Sequence, residues 1–402
     1  MDEASRFAPP CVALRIALKG PTRGIIAAMS RPDDRPLRRL PALEARKSTL
    51  ERCVFCPKLC RTACPVSNAE PRETLTPWGK MSMAYFVANE SVALAPSFAD
   101  PAWACTGCFG CREHCDHKND VTGTLFDARS ALVEAGTAPA PVKRVLERFT
   151  EKTEVLGKSA GELSVLPEVS DGARVALLLG CAYARSASAE ARDAVRATAK
   201  LVGGQVSIVK VCCGAPLLYA GDKKRFVQQG EMLAQTLKHK ERLIVVDAGC
   251  AATIRVHHAA NGIGMITPVE HFAERAAREL GQMRQVHGLG DGPVRYHDAC
   301  QLGRGLGVYD QPRALLSRAL GRAPEEFDRR RDDARCSGAG GLLPVTMPEV
   351  SAAIAQGRVA EHEASGGGTI VTACASSLRT FRKQGANAVD LVTVVARALG
   401  VE

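Results

Sequence analysis

The chain has 402 residues, enough by length alone for two or three domains. At 46% hydrophobic it can bury more than one core, which excludes disorder as its main state. Its formal charge is +10, but residues 1–60, with 12 basic and 6 acidic side chains, hold +6 of it. The near-balanced remainder argues against a large nucleic-acid-binding face, and 4% aromatics argues against stacking on single strands.

Residues 1–50 read as an extension. Pro9-Pro10, Pro21, Pro32, Pro36 and Pro41 leave no room for a long helix. Met29, followed by Ser-Arg-Pro, is an alternative start. The N-terminus has no signal-peptide pattern, and no run of 18 apolar residues occurs, so the expected location is cytoplasmic with no transmembrane segment. That context bears on the 16 cysteines, of which all but Cys11 fall in tight or regularly spaced motifs. Clustered intracellular cysteines read as metal or redox sites, not as a disulfide framework.

Residues 51–150 are expected to form a helical unit with two cysteine-rich loops. Thr76 is placed to cap a helix and Pro77 to open it, with Met81, Tyr85 and Val92 at helical spacing. Residues 122–135 predict a second amphipathic helix, with Leu125, Ala128 and Leu132 on one side. The loops read Cys53-x2-Cys56-x3-Cys60-x3-Cys64-Pro65 and Cys105-x2-Cys108-x2-Cys111-x3-Cys115. The second has bacterial ferredoxin spacing with Asp116 in place of the proline, and the first has one extra residue before its third cysteine. In such strings three cysteines wrap one four-iron cluster and the fourth reaches across to the other. The expected sets are therefore Cys53, Cys56, Cys60 and Cys115 for one [4Fe-4S] cluster and Cys105, Cys108, Cys111 and Cys64 for a second. Structural zinc is the alternative, but zinc ligands usually arrive as two pairs with a longer gap. Residues 137–170 serve as a connector.

From residue 171 onward, strand and helix signals alternate. The segments 174–180, 205–211 and 242–248 are short branched-apolar runs, each followed by a helical stretch, and 294–299 and 369–373 repeat the pattern. This predicts an α/β fold with parallel sheets. The region is also duplicated. Cys213 and Cys250 have 36 residues between them, as do Ser337 and Cys374, at a common offset of 124, while Cys181 pairs with Cys300 at 119. Two copies are expected, at 171–285 and 290–402.

Each cysteine of the first copy ends a predicted strand: Cys181, then Cys212 and Cys213, then Cys250. In a parallel sheet the strand ends share one edge, where ligands bind. Gly180, Gly214 and Gly249 flank them, as close backbone approach requires. The bland alternative is buried free cysteine. Adjacent Cys212 and Cys213, however, cannot both point into one core.

These motifs resemble a known family. Cys181…Cys212-Cys213-Gly214…Cys250, the run 297–310 and the Cys336-Ser337-Gly338 segment are similar to the duplicated cysteine-rich CCG domains of heterodisulfide reductase. The two cysteine strings resemble the helical ferredoxin domain fused to them in the iron–sulfur subunits of glycolate oxidase, lactate-utilisation and anaerobic glycerol-3-phosphate dehydrogenase complexes. The resemblance spans residues 53–402. It implies an electron-transfer subunit that relays between a flavoprotein partner, oxidising a 2-hydroxy acid or similar substrate, and a quinone or other acceptor. It also implies a membrane quinone-reducing subunit as a further partner, a peripheral position at the inner membrane face, and metal at Cys181, Cys212, Cys213 and Cys250, as an iron–sulfur cluster or zinc.

The family pattern is Cys, Cys-Cys-Gly, then Cys-x-x-Cys. By spacing, its last position is Thr253 in copy one and Ser377 in copy two, and Ser337 replaces one of the paired cysteines. Copy two is thus expected to keep Cys300, Cys336 and Cys374 as its candidate metal ligands. Hydroxyls are poor ligands for iron beside thiolates, so the sequence argues against a full disulfide-cleaving centre. A thiol–disulfide reductase and a docking module holding zinc or no metal are the alternative functions. No acid–base pair or nucleophile arrangement stands out, and no catalytic residue is named. His297-Asp298 is expected to end a strand, His257-His258 to lie on a solvated helix face, and Arg329, Arg330 and Arg331 to form a charged loop. Gly338-Ala339-Gly340-Gly341 lacks the Lys-Ser/Thr of a phosphate loop.

Overall fold

A computed structural model describes residues 36–402 apart from 59, 287, 290 and 291. Cys11, Met29 and most of the expected extension lie outside the described residues. The end of that extension is structured. Leu37, Leu40, Leu43 and Leu50 are buried in one core with Met81, Tyr85, Trp103 and Leu125. Leu43 lies in the 3₁₀ helix Pro41–Arg46 and Leu37 and Leu40 in the segment ahead of it, so the core of the helical unit takes in residues upstream of residue 51.

Three helices frame the first unit: Lys47–Val54, Pro77–Ala88 and Val121–Glu134. Thr76 caps the second as expected, its Oγ1 accepting from the Gly79 N–H at 2.9 Å, with Pro77 in the first turn. That helix ends at Ala88, so Val92 lies beyond it. Asp120 caps the third, accepting from the Gly123 N–H at 3.0 Å. No helix among the described residues is long and apolar enough to cross a membrane.

The rest is α/β, as expected, with two parallel sheets. The first has the order β2-β1-β3-β4, from β1 (Val175–Leu178), β2 (Val206–Ile208), β3 (Arg242–Val245) and β4 (Val269–His271). The second has the order β5-β6-β7, from β5 (Val294–His297), β6 (Thr369–Thr372) and β7 (Ala388–Asp390). Register repeats between them: Val175 faces Arg242 in one and Val294 faces Thr369 in the other. The three-residue strands β4 and β7 are too short to stand out as apolar runs. The second sheet has no counterpart of β2 among the described residues, only a bridge between Arg295 and Glu325. Pro324 has no N–H to donate, and Glu325-Glu326 are weak strand formers.

The two copies share one core. Leu177, Val206 and Phe272 pack in the same cluster as Val294, Tyr296, Val371 and Val394. Polar groups also cross between them: Arg382 pairs with Glu190 at 2.8 Å, and the Thr393 hydroxyl donates to Asp193 at 2.6 Å. The Tyr183 hydroxyl donates to Asp390 Oδ2 at 2.8 Å.

Burial pushes the Asp390 carboxyl up to about 7, against the pull of the Val392 N–H and Tyr183 hydroxyl. Between its unfolded value near 4 and about 7 the folded chain therefore holds a proton the unfolded chain lacks. Stability from this group is present at low pH and is lost as pH rises through that window. Asp390→Asn should raise the melting temperature at pH 8 by a few degrees, on the order of 1–2 kcal/mol, and much less at pH 5. Equal shifts at both pH values in thermal melts would contradict the assignment.

Candidate functional site

The cysteine loops fold against each other. Cys53 lies in the last turn of the helix Lys47–Val54, and Cys64 immediately precedes the short helix Pro65–Ala69. Burial pushes the Cys53 thiol up to about 12; a hydrogen bond from Asn119 Nδ2 at 2.9 Å opposes this, and the negative charges of Cys60, Cys115 and Cys56 add to it. Burial likewise pushes Cys60 up to about 11, with Cys115 and Cys56 the next contributors. The neighbours of Cys53 are thus the three partners expected from spacing. In the second set, Cys64, Cys105, Cys108 and Cys111 line one small cavity with Lys80 and Phe109. Burial raises Cys111 well above its ordinary value, reinforced by Cys105, Cys108, Cys64 and then Cys60, so the two sets adjoin.

The second set is ringed by buried cations. Lys80 is 2% exposed, and its ammonium donates to Cys64 Sγ at 3.3 Å. Arg129 is fully buried and donates to the carbonyls of Ala102, Cys105, Tyr219 and Gly341 at 2.8–3.1 Å. Arg304 donates to the carbonyls of Cys108, Asp332 and Ala334 at 2.6–3.1 Å. None of the three pairs with a carboxylate among the described residues. A buried cation without a counter-charge is costly. An iron–sulfur cluster held by four thiolates is an anion, so these residues fit one.

The α/β copies bring their own thiols to the carboxyl edge of each sheet. In the first, Cys181 and Cys212 lie 3.5 Å apart through their sulfurs, and Cys213 and Cys250 3.3 Å apart. Gly180 makes this possible: at φ +99°, a Cβ there would lie 2.9 Å from the Asp247 Cβ and 3.1 Å from Cys250 Sγ. The hydrogen bond from Cys213 works downward on Cys250, but burial carries its thiol up to about 12. All four expected residues therefore meet, and their protons leave together only if a cation replaces them.

The second copy departs from expectation. Cys336 neighbours both Cys300 and Cys108 of the ferredoxin-type loop. Ser337 Oγ and Ser377 Oγ lie 2.8 Å apart. Cys374 touches this pair at Ser377, whose backbone and side chain bond its thiol, but it is not the counterpart of a first-copy thiol. It stands at the N-cap of the helix Ala375–Lys383 beside Asp247, within the core shared by the copies. Asp247 holds the same position before the helix Ala248–Ala252 that follows β3, so Asp247 and Cys374 are counterparts, and so are Cys250 and Ser377. The equal spacing of 36 residues pairs the wrong positions, because the segment before β6 is longer than the one before β3 while the step from each strand into its helix is the same. Ser337–Ser377 is thus the hydroxyl version of Cys213–Cys250, and Thr253 does not hold a ligand position; its hydroxyl donates to the Gly249 carbonyl at 2.7 Å.

The three thiol regions converge. Half-buried Tyr219 has Cys213, Cys250 and Cys300 among the charges that, after burial, raise its hydroxyl well above its ordinary value. Gly340 and Gly341 press on the ferredoxin-type loop: a Cβ would lie 2.2 Å from the Thr106 carbonyl oxygen and 2.1 Å from that of Cys105. That glycine run is a packing contact. His257 and His258 are buried, against the expectation of a solvated face. The π-helical turn Thr253–His258 directs both inward. His257 lies 6.3 Å from Phe109 and 5.5 Å from Phe126, and burial lowers it to about 4. A His258 Nε2 hydrogen bond of 2.9 Å reaches the Cys213 carbonyl. His297 ends β5 as expected and faces Phe381 and Phe327. Asp298 is salt-bridged to Arg313 at 2.8 Å. Arg329 and Arg331 pair with Asp333 and Asp310. Nothing in the sequence alone sets apart Arg129, Arg304 or Tyr219. For Lys80 the one usable signal is a lone lysine in the apolar segment 77–88.

Comparison with known proteins agrees with this geometry. Residues 49–119 match the 4Fe-4S dicluster domain family, and residues 175–255 and 294–382 each match the cysteine-rich domain family CCG. The chain is 26% identical over 387 residues to one subunit of the dihydromethanophenazine:CoB–CoM heterodisulfide reductase of Methanosarcina mazei, covering 87% of this chain and 93% of that one. It is 25% identical over 313 residues to one subunit of the fumarate reductase (CoM/CoB) of Methanothermobacter marburgensis, covering 75% and 61%. It is 26% identical over 268 residues to the EtfAB:quinone oxidoreductase of Syntrophomonas wolfei, covering 60% and 37%. With its thiol-lined loops and duplicated sheets, the chain belongs to the heterodisulfide reductase-related iron–sulfur proteins, a 4Fe-4S dicluster domain followed by two CCG cysteine-rich domains.

Proposed function

We propose that the chain is an electron-transfer subunit of an oxidoreductase complex. Cys53, Cys56, Cys60 and Cys115 would hold one [4Fe-4S] cluster, and Cys64, Cys105, Cys108 and Cys111 a second. Cys181, Cys212, Cys213 and Cys250 would hold a further cluster or zinc. The observation that carries this reading is the series of neighbouring thiols from Cys53 through Cys108, Cys336 and Cys300 to the Cys213–Cys250 pair, with Tyr219 at the last step. Bound clusters supply one-electron steps, and the chain supplies ligand geometry, burial and charge. Substrate chemistry belongs to a flavoprotein partner, such as a 2-hydroxy-acid dehydrogenase. A quinone, reached through a membrane subunit, is the acceptor, which places the complex in the cytoplasm at the inner membrane face. The names of the relatives, subunits of reductases and a quinone oxidoreductase, support this class.

A second reading, direct thiol–disulfide reduction, is favoured by the heterodisulfide reductase relative and by the four-thiol group of the first copy. One experiment separates them. Reconstituted protein is given a strong one-electron donor and a small mixed disulfide, which needs two electrons and two protons per bond cleaved. The relay reading expects about eight irons or more per chain and no steady turnover until a flavoprotein or dye acceptor is added. Turnover that vanishes in Cys213→Ser would establish the second reading instead.

A further inference from the structure

The two expected cluster sites differ in the charge around them. The inner set, Cys64, Cys105, Cys108 and Cys111, has Lys80, Arg129 and Arg304 beside it, each buried and none paired with a carboxylate among the described residues. The outer set, Cys53, Cys56, Cys60 and Cys115, has no such group among the described residues. Its nearest buried polar contact is the neutral Asn119 amide on Cys53. Cations nearby are exposed or spent on carboxylates. Arg61 and Lys58 share Glu73, Arg112 and Lys118 share Glu113, and Arg52 is exposed. Exposed and paired charges are screened or cancelled, whereas a buried unpaired charge acts through a low dielectric.

Reduction adds one negative charge to a cluster. A fixed buried cation favours that state and so raises the reduction potential. Lys80 is the clearest instance, because its ammonium touches a ligand sulfur. The inner set also lies nearest the α/β copies, since Cys108 neighbours Cys336.

We propose that Lys80, Arg129 and Arg304 hold the inner cluster at a higher potential than the outer one, so that electrons entering at the outer cluster run downhill toward the α/β cysteine sites. This rests on the dicluster reading above and gives it a direction. Lys80 acts here as a positioning charge; it touches no substrate.

The test uses the full chain reconstituted with iron and sulfide, titrated electrochemically and followed by electron paramagnetic resonance. Two midpoints are expected from the dicluster sites, the higher one belonging to the cluster that Cys64→Ala removes and Cys115→Ala leaves. Lys80→Met and Lys80→Gln should lower that midpoint alone, cutting its reduced-to-oxidised ratio at the original midpoint about tenfold, 59 mV for one electron. Lys80→Arg should restore it. In the Lys80→Met/Cys64→Ala double variant the surviving outer cluster should keep its ordinary potential. Equal shifts of both clusters, no shift, or a higher midpoint for the outer cluster would overturn the gradient while about eight irons per chain left the dicluster reading intact. About four irons in the unmodified protein would overturn both. Iron content of each variant, measured on the same samples, separates a lost cluster from a shifted one.

Discussion

Cys64→Ala should remove the cluster whose other three ligands lie in the downstream loop, and leave the one built on its own loop. Cys64 stands four residues after Cys60 in sequence, yet it lines a cavity with Cys105, Cys108 and Cys111. The turn Arg61–Ala63 and the helix that follows Cys64, with Pro65 fixing its first turn, carry the chain away from the outer set. Iron should fall by about four per chain, and the remaining dicluster signal should be that lost in Cys53→Ala. Cys115→Ala should give the mirror result. The same signal vanishing in Cys64→Ala and Cys53→Ala would refute the crossed arrangement. A second effect accompanies the first. Lys80 loses the sulfur it contacts and remains 2% exposed, so the variant should also be destabilised, by ~3 kcal/mol, as for other buried charges left unpaired. Lys80→Met in the Cys64→Ala background should recover most of that loss in denaturant titrations, which distinguishes a stranded charge from a packing defect.

The parts of the fold legible in the sequence are those in which short-range spacing determines geometry. Ferredoxin-type strings do this, because the gaps between cysteines set which thiols can face one cluster, and the structure groups Cys53 with Cys56, Cys60 and Cys115. Thr76-Pro77 and the five longer apolar runs are likewise local signals, and they mark real elements. What is not legible depends on contacts distant in sequence. The burial of Leu37 and Leu40 comes from packing against the unit formed by later helices, and a proline-rich composition hides it. Lys80 looks like a surface lysine until Cys64 and Cys105 are folded around it. Arg129 ties Ala102 to Tyr219 and Gly341, one from each of the three units. His257 and His258 read as solvated only under a regular α-helical turn, and the π-helical turn overturns that. The duplication of the cysteines is visible in the sequence, but constant spacing is not constant position when the segment before a strand changes length. Counting from the strands, Cys250 lies five residues beyond Val245 and Ser377 five beyond Thr372.

That corrected pairing makes the second large expected effect a gain. The first copy offers two pairs of touching thiols, Cys181–Cys212 and Cys213–Cys250. The second keeps the counterpart of one pair, Cys300–Cys336, and has hydroxyls for the other, Ser337–Ser377 at 2.8 Å. Hydroxyls stay protonated near neutral pH and bind soft metal weakly, so the second copy as it stands should hold metal poorly. Ser337→Cys with Ser377→Cys restores the missing pair. Both serines are buried, at 6% and 4% exposure, so each larger sulfur must be accommodated at a cost of ~1 kcal/mol, which metal binding can exceed. The double variant, reconstituted beside the parent, should gain about one zinc or about four irons per chain, and either single variant should gain much less. Cys374→Ser supplies the discriminating control. If Cys374 stands at the start of its helix beside Asp247 and lies outside the metal group, its replacement should leave the gain intact. If instead equal spacing in sequence marks the true ligand, Cys374→Ser should abolish the gain, and the structural pairing of Cys250 with Ser377 would have to be given up.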